Sequence, residues 1–256
     1  MRRVAVKIAY RGEKFAGSQM QPGLRTVEGD VLLDLKKVNN LNESMIDLKC
    51  ASRTDRGVNA IGNVIVFNTT FSDNAALLKA LNAVSKDVFY RAIADVDKGF
   101  NPRHASERVY RYILPSFGMD ADAVRECASL FVGTHDFARF CKQDDRPTVT
   151  EMRSVTVTDS GYVFVIEFRS EYFLWNQIRR IIAAISSVGW GDSGIEDVKR
   201  ALNGDDVTFG VARADALTLL DVIYEGIEFT PADRLGPRAG EERFDLILKS
   251  MFLDSL

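Results

Sequence analysis

The residues best placed to do chemistry lie in the decapeptide ASRTDRGVNA, residues 51–60, which sets Asp55 between Arg53 and Arg56 just ahead of Gly57. Positive charge on both sides favours the ionised form of a carboxylate. On a turn between two strand-like runs, such a group is displayed where a rigid scaffold can use it as nucleophile or base. A surface ion pair in a hairpin has the same local pattern, so the rest of the chain must decide between the two.

Three further clusters bear on that choice. In NPRHASERVYRYIL, residues 101–114, Arg103, Arg108 and Arg111 interleave with Tyr110 and Tyr112. On a strand the two tyrosines share one face and Arg111 takes the other. Aromatic rings beside arginines suit base stacking and phosphate neutralisation; an aromatic pair in a core strand is the structural alternative. In FLWNQIRR, residues 173–180, Arg179 and Arg180 stand about two turns into an otherwise apolar helix. One of them needs an acidic partner, for which Asp55 is the candidate, or else snorkels to solvent. In GTHDFARF, residues 133–140, the adjacent His135 and Asp136 read as structural or cap-like rather than as a dyad. No nucleophile-elbow serine, phosphate-binding loop or dinucleotide fingerprint accompanies them.

Composition narrows the class. The 256 residues are 46% hydrophobic and 27% charged, as in soluble globular proteins. No apolar run is long enough to span a membrane, and the N-terminus lacks the unbroken apolar core of a signal peptide, so a cytoplasmic protein is expected. Cys50, Cys127 and Cys141 are widely separated and only two histidines occur, so neither a disulfide framework nor a metal site is indicated. The net charge of −3 conceals an asymmetry: residues 1–191 carry 26 basic and 22 acidic side chains, residues 192–256 carry 7 and 14. A basic face for nucleic acid can come from the first part. The acidic last quarter suggests a dimer interface or a solvated back surface.

The elements that must position these groups follow from periodicity. A strand over Val4–Ile8 precedes a helix capped by Thr26 and carrying Val27, Val31, Leu35 and Val38. Strands at Ile46–Ala51 and Asn63–Asn68 flank the Asp55 turn, and a helix at Asn74–Val84 leads to a strand at Val88–Val96. The order β-α-β-β-α-β is ferredoxin-like. The second half repeats it: a strand at Val109–Leu114, a helix capped by Asp120, and a hairpin around Asp159-Ser160-Gly161. Helices at Phe173–Val188 and Ile195–Asn203 follow, then a strand at Leu217–Tyr224. The expected architecture is α+β: two ferredoxin-like halves, 1–102 and 103–256, joined into an extended antiparallel sheet with helices behind and a cleft in front. A last apolar segment is read at Phe244–Phe252.

Taken together, the blocks resemble the TruA family of tRNA pseudouridine synthases. ASRTDRGVNA is similar to that family's G-R-T-D-x-G-V-H signature, and YRGEKFAGSQMQ with TVEGDV to its opening block. NPRHASERVYRYIL, GTHDFARF, FLWNQIRRIIAAISSVGWG and ARADALTLLDVIY match its later blocks in order, from residue 8 to 224. The resemblance implies a homodimer that isomerises uridine in the anticodon stem-loop of tRNA, at positions 38, 39 and/or 40, without a cofactor or metal. By the same resemblance Asp55 is the catalytic aspartate and Arg53 helps displace the target base; Tyr110 packs beside that base, and Arg179 pairs with the aspartate. Arg56, Arg103, Arg108, Arg111, Tyr112 and Leu217 complete the expected substrate site. The chain departs from the pattern at Asn59, where the family has histidine, at Trp175-Asn176, often histidines, and in a short link between Leu114 and Asp120, as in an archaeal-type member. A non-catalytic RNA-binding or tRNA-chaperone protein on the same scaffold is the alternative. It would have no use for an ionised carboxylate in a basic setting.

Overall fold

In the computed structural model, which describes residues 1–39, 41–233, 235 and 239–241, the chain divides into two compact units. One holds residues 1–54, 61–104 and the described residues from 226 onward; the other holds residues 55–60 and 105–225. The chain passes from one unit to the other between Thr54 and Asp55, inside the decapeptide, and returns after Ala60.

The first unit is organised on β1 (Arg2–Tyr10), where Val4, Val6 and Ile8 are fully buried. β1 lies between β3 (Asn59–Thr69) and β4 (Val88–Val96), with β2 (Lys49–Cys50) paired to β3 and β11 (Thr230–Pro231) paired to β4. α1 (Val27–Val38) starts where Thr26 Oγ1 accepts a hydrogen bond from Gly29 N at 3.2 Å. α3 (Asn74–Val84) starts where Asp73 accepts from Ala76 N at 2.6 Å. Each cap satisfies one of the helix's orphan donors. Their apolar stripes, Val27, Val31 and Leu35 on one and Leu77, Leu78 and Leu81 on the other, are buried; each such side chain contributes roughly 1.5–3 kcal/mol.

One expected element is different here. Ile46 is not the start of a strand but the end of a short helix, α2 (Glu43–Ile46), and strand pairing is confined to Lys49 and Cys50. Asn42 caps α2 by accepting from Met45 N at 3.0 Å, and Asp47 ends it in the left-handed conformation at φ 46°. A local cap outweighs the β-propensity of a single isoleucine.

The backbone leading to Asp55 is held from within the first unit. Thr54 N donates to Ser18 Oγ at 2.7 Å, Ser18 N donates to Thr54 O at 3.0 Å, and Thr54 Oγ1 lies 2.8 Å from the Tyr10 hydroxyl. Asn63, fully buried on β3, donates to Tyr10 Oη at 3.1 Å and to Ser52 O at 2.9 Å. Buried polar groups satisfied in this way leave the segment one conformation.

In the second unit β5 (Glu107–Pro115) runs between β10 (Leu217–Ile223) and β9 (Val163–Ser170), with β8 (Ser154–Asp159) beyond β9, every pair antiparallel. Strand order within each unit is thus that of a ferredoxin-like βαββαβ fold, and the α+β class holds. α4 (Ala121–Ser129) is capped by Asp120, which accepts from Asp122 N and Ala123 N. α5 (Gln177–Trp190) buries Ile178, Ile181, Ile182, Ile185 and Val188, and α6 (Ile195–Leu202) follows. The GTHDFARF block forms β6 (Gly133–Asp136), paired with β7 (Val149–Met152) in a small separate sheet. The expected apolar segment Phe244–Phe252 lies outside the described residues.

Candidate active site

Two features of the second unit build the surroundings of Asp55. The first is the turn itself: Val58 N donates to Asp55 O at 3.1 Å and Gly57 sits at φ +88°. A Cβ on Gly57 would fall 3.2 Å from the Ala214 Cβ, so glycine meets both the left-handed backbone and the close approach. After the turn, Asn59 and Ala60 pair in parallel with Thr218 and Leu219 of β10, and the Asn59 amide donates to Asp215 O at 2.8 Å. The residue standing where a family histidine was expected thus ties the turn to the neighbouring strand.

The second feature is the start of α5. The sequence suggests a helix from Phe173, but the helix begins at Gln177, because Asn176 takes the left-handed conformation at φ 61° and Gln177 Oε1 accepts from Leu174 N at 2.8 Å. Arg179 and Arg180 therefore lie in the first helical turn, not two turns in. The Arg179 guanidinium donates through Nε to Ala212 O at 2.8 Å and through Nη1 to Asn176 Oδ1 at 3.1 Å. Its own carbonyl accepts from Ala212 N at 3.0 Å. Fixed at both ends, Arg179 Nη1 stands 3.6 Å from Asp55 Oδ2; the side chains are 19% and 37% exposed.

The other carboxylate oxygen has a partner that charge reasoning does not reach. Trp175 Nε1 donates to Asp55 Oδ1 at 3.1 Å. Asp55 thus presents a carboxylate with one oxygen on a neutral donor and the other facing a guanidinium, still partly open to solvent. Such a group can act as nucleophile toward an electrophilic carbon or as a general base.

The remaining sequence-derived residues are distributed as follows. Tyr110 and Tyr112 are buried on β5, opposite Leu219 and Leu217 on β10 and opposite Phe168 and Ile166 on β9. Tyr110 meets Phe173 edge-on with ring centroids 5.1 Å apart. Burial, reinforced by Asp215, raises the Tyr112 hydroxyl above its usual range, against the opposing pull of Arg179 and Arg213. Leu217 and Leu219 are both buried on the tyrosine face. Arg111, on the other face, forms an ion pair with Glu167 at 2.6 Å. Arg108 is buried and donates to the Glu171 carbonyl. Arg53, Arg56 and Arg103 are exposed, Arg53 and Arg103 in the first unit and Arg56 in the second.

His135 lies on β6 with Nε2 3.0 Å from Val132 O, edge-on to Phe137, while Asp136 Oδ1 accepts from Ala138 N. The two adjacent side chains serve different local contacts. The three thiols are buried, and burial pushes Cys50 and Cys127 up to about 12. Among the described residues no group of three or more His, Cys, Asp or Glu side chains is arranged to hold a metal ion, and no helix is long and apolar enough to cross a membrane.

Known proteins similar to this chain agree on one family. A family model described as tRNA pseudouridine synthase matches residues 127–225. The tRNA pseudouridine synthase A of Pyrococcus abyssi is 42% identical over 249 residues, covering 94% of this chain and 93% of its own. That of Pyrococcus horikoshii is 42% identical over 236 residues, covering 91% and 88%. The Methanosarcina mazei protein is 34% identical over 254 residues, covering 96% and 94%. With identity at this level sustained from end to end, the chain belongs to the tRNA pseudouridine synthase A family.

Proposed function

We propose that this protein isomerises uridine to pseudouridine in the anticodon stem-loop of tRNA, cofactor-free, with Asp55 as the reacting group. The observation that carries the proposal is the carboxylate of Asp55, bracketed by Trp175 Nε1 at 3.1 Å and Arg179 Nη1 at 3.6 Å. The reaction breaks the N1–C1′ bond, turns the uracil and rejoins it through C5; C5 loses its proton and N1 gains one, so the product is an isomer of the substrate. Nothing is oxidised or reduced. The carboxylate serves this chemistry either by attacking C1′ or by taking the 2′ proton, and the geometry is compatible with both routes.

The other roles follow from placement. A uridine must leave its stack before it reacts, at a cost of a few kcal/mol; the exposed Arg53 is assigned to displacing it. Tyr110, with Leu217 and Tyr112 on the same face, supports the bound base from below. Arg56 and Arg103 neutralise phosphates. Arg108 and Arg111, engaged by the Glu171 carbonyl and by Glu167, support the strand that carries the tyrosines. The protein works in the cytoplasm as a homodimer, a state that sedimentation equilibrium tests.

The deciding experiment is incubation with unmodified tRNA followed by carbodiimide mapping of pseudouridine. The parent protein is expected to modify the anticodon stem-loop and Asp55→Asn to modify nothing while still binding tRNA. Turnover retained in Asp55→Asn removes Asp55 from the chemistry. Binding without turnover in the parent makes the chain an RNA-binding protein alone.

A further inference from the structure

We infer that Trp175 is a positioning residue for the isomerisation: its indole N–H fixes the carboxylate plane of Asp55, and Lys142 braces the indole. The inference rests on the proposed role of Asp55 and adds to it a residue that acts through Asp55.

Three observations lead to it. First, Asp55 Oδ1 receives the Trp175 Nε1 hydrogen bond at 3.1 Å, shorter than the 3.6 Å separation between Arg179 Nη1 and Oδ2. The neutral donor makes the tighter, more directional contact, whereas the guanidinium sits at ion-pair distance. A carboxylate held by charge alone still rotates about Cβ–Cγ; a hydrogen bond to one oxygen selects one rotamer and leaves Oδ2 as the oxygen turned toward Arg179.

Second, the indole is itself held over its ring face. Lys142 Nζ lies 3.8 Å from the Trp175 ring centroid, and Lys142 N donates to Trp175 O at 2.7 Å. An ammonium over an indole face at that distance is a favourable cation–π contact. Backbone and side chain of one lysine thus clamp backbone and ring of one tryptophan. Lys142 directly follows the segment Ala138–Cys141, whose Phe140 is buried, so the brace is rooted in the core.

Third, Trp175 is 42% exposed. An indole serving only the core would be covered. This one leaves the core, turns its N–H to the carboxylate, and is followed by Asn176, the N-cap of α5, in a left-handed conformation. Asn176 Oδ1 in turn accepts from Arg179. The dipeptide Trp175-Asn176 therefore contacts both halves of the Asp55–Arg179 pair, Trp175 the acid and Asn176 the base.

The test uses the full-length protein with unmodified tRNA in single-turnover and steady-state assays, alongside the parent and Asp55→Asn. Trp175→Phe keeps a ring beneath Lys142 and deletes the donor. It is expected to lower kcat about tenfold or more, the usual consequence of losing a hydrogen bond to a charged group, with KM for tRNA and melting temperature unchanged. Trp175→His, which restores a ring N–H, is expected to recover part of the loss. Lys142→Met is expected to lower kcat by a smaller factor in the parent and not at all in Trp175→Phe; equal losses in both backgrounds overturn the brace.

A readout independent of turnover is available because the chain has two tryptophans. In the free protein the indole N–H region of a 1H–15N spectrum holds two resonances, assigned by Trp190→Phe. Asp55→Ala is expected to move the Trp175 resonance upfield and leave that of Trp190 in place. An unmoved Trp175 resonance, an unchanged kcat in Trp175→Phe, or a change confined to KM overturns the inference. An inactive parent, or an active Asp55→Asn, overturns the proposed function instead, so the two failures are distinct.

Discussion

Replacing Arg179 separates charge from geometry at Asp55, the carboxylate proposed to react. At 3.6 Å two unit charges interact by about 1.2 kcal/mol at the dielectric of water and about 4.6 kcal/mol at an effective value of 20. Asp55 is 37% exposed and Arg179 19%, so solvent screening brings the working figure to about 2 kcal/mol, or about thirtyfold in rate. As N1–C1′ breaks, the electron pair departs with the uracil, so the site keeps one negative charge throughout the step. In the transition state that charge is spreading onto the uracil, and kcat falls only by as much as the guanidinium favours this distribution over the bound substrate. Arg179→Met is therefore expected to lower kcat by up to about thirtyfold, with KM little changed. Arg179→Lys keeps the charge but loses the bonds to Ala212 O and Asn176 Oδ1, and is expected to fall between parent and Arg179→Met. The assay is tritium release from tRNA labelled at uridine C5, since that hydrogen is lost when the new bond forms. Full activity in Arg179→Met refutes the electrostatic argument; equal losses in the two variants mean that fork geometry, not charge, is what matters.

Other consequences can be checked independently. Gly57→Ala puts a Cβ 3.2 Å from the Ala214 Cβ at φ +88° and is expected to cost about 1–2 kcal/mol in denaturant unfolding, with lower kcat because the strained turn carries Asp55. Changing Arg53, Arg56 and Arg103 together to Gln is expected to make the salt dependence of tRNA binding shallower, by about 0.7–0.9 in log–log slope for each phosphate that is no longer neutralised; an unchanged slope removes these arginines from phosphate binding. Burial raises the Asp34 carboxyl above its ordinary value, despite hydrogen bonds from Ser85 and Tyr90 and the nearby Lys37. With the folded-state value raised, Asp34 favours folding below its unfolded value and loses that contribution as pH rises through the folded one. Asp34→Asn is expected to raise the melting temperature relative to the parent near neutral pH and not in acid; the opposite trend contradicts the assignment.

Much of the molecule is legible in the residues, and the exceptions have physical reasons. α1 and α3 follow their hydrophobic periods because each buries an apolar stripe, and β1 is legible because Val4, Val6 and Ile8 alternate on one buried face. The start of α5 departs from its period because the boundary depends on a non-glycine residue, Asn176, in a left-handed conformation that no propensity signals. Ile46 falls in a capped helix because Asn42 offers the backbone a local partner. At the site, an arginine amid apolar residues announces that it needs an anion, which is why Arg179 and Asp55 can be considered together. Trp175 sends no such message. An aromatic ring in an apolar run reads as core, and its N–H finds a partner 120 residues away in sequence.

That separation also sets a schedule. The residues from Asp55 to Ala60 group with a unit whose remaining residues start at position 105. A ribosome adding about 5–20 residues per second needs roughly 6–24 s to travel from Asp55 to Trp175. During that interval the nascent chain carries the Asp55 carboxylate without the Trp175 indole or the Arg179 guanidinium, on a segment whose unit is still incomplete. Completion of the site is therefore a late event of biogenesis. A truncated or stalled product ending before residue 175 has the decapeptide but lacks both Trp175 and Arg179, the side chains that face the two oxygens of its carboxylate.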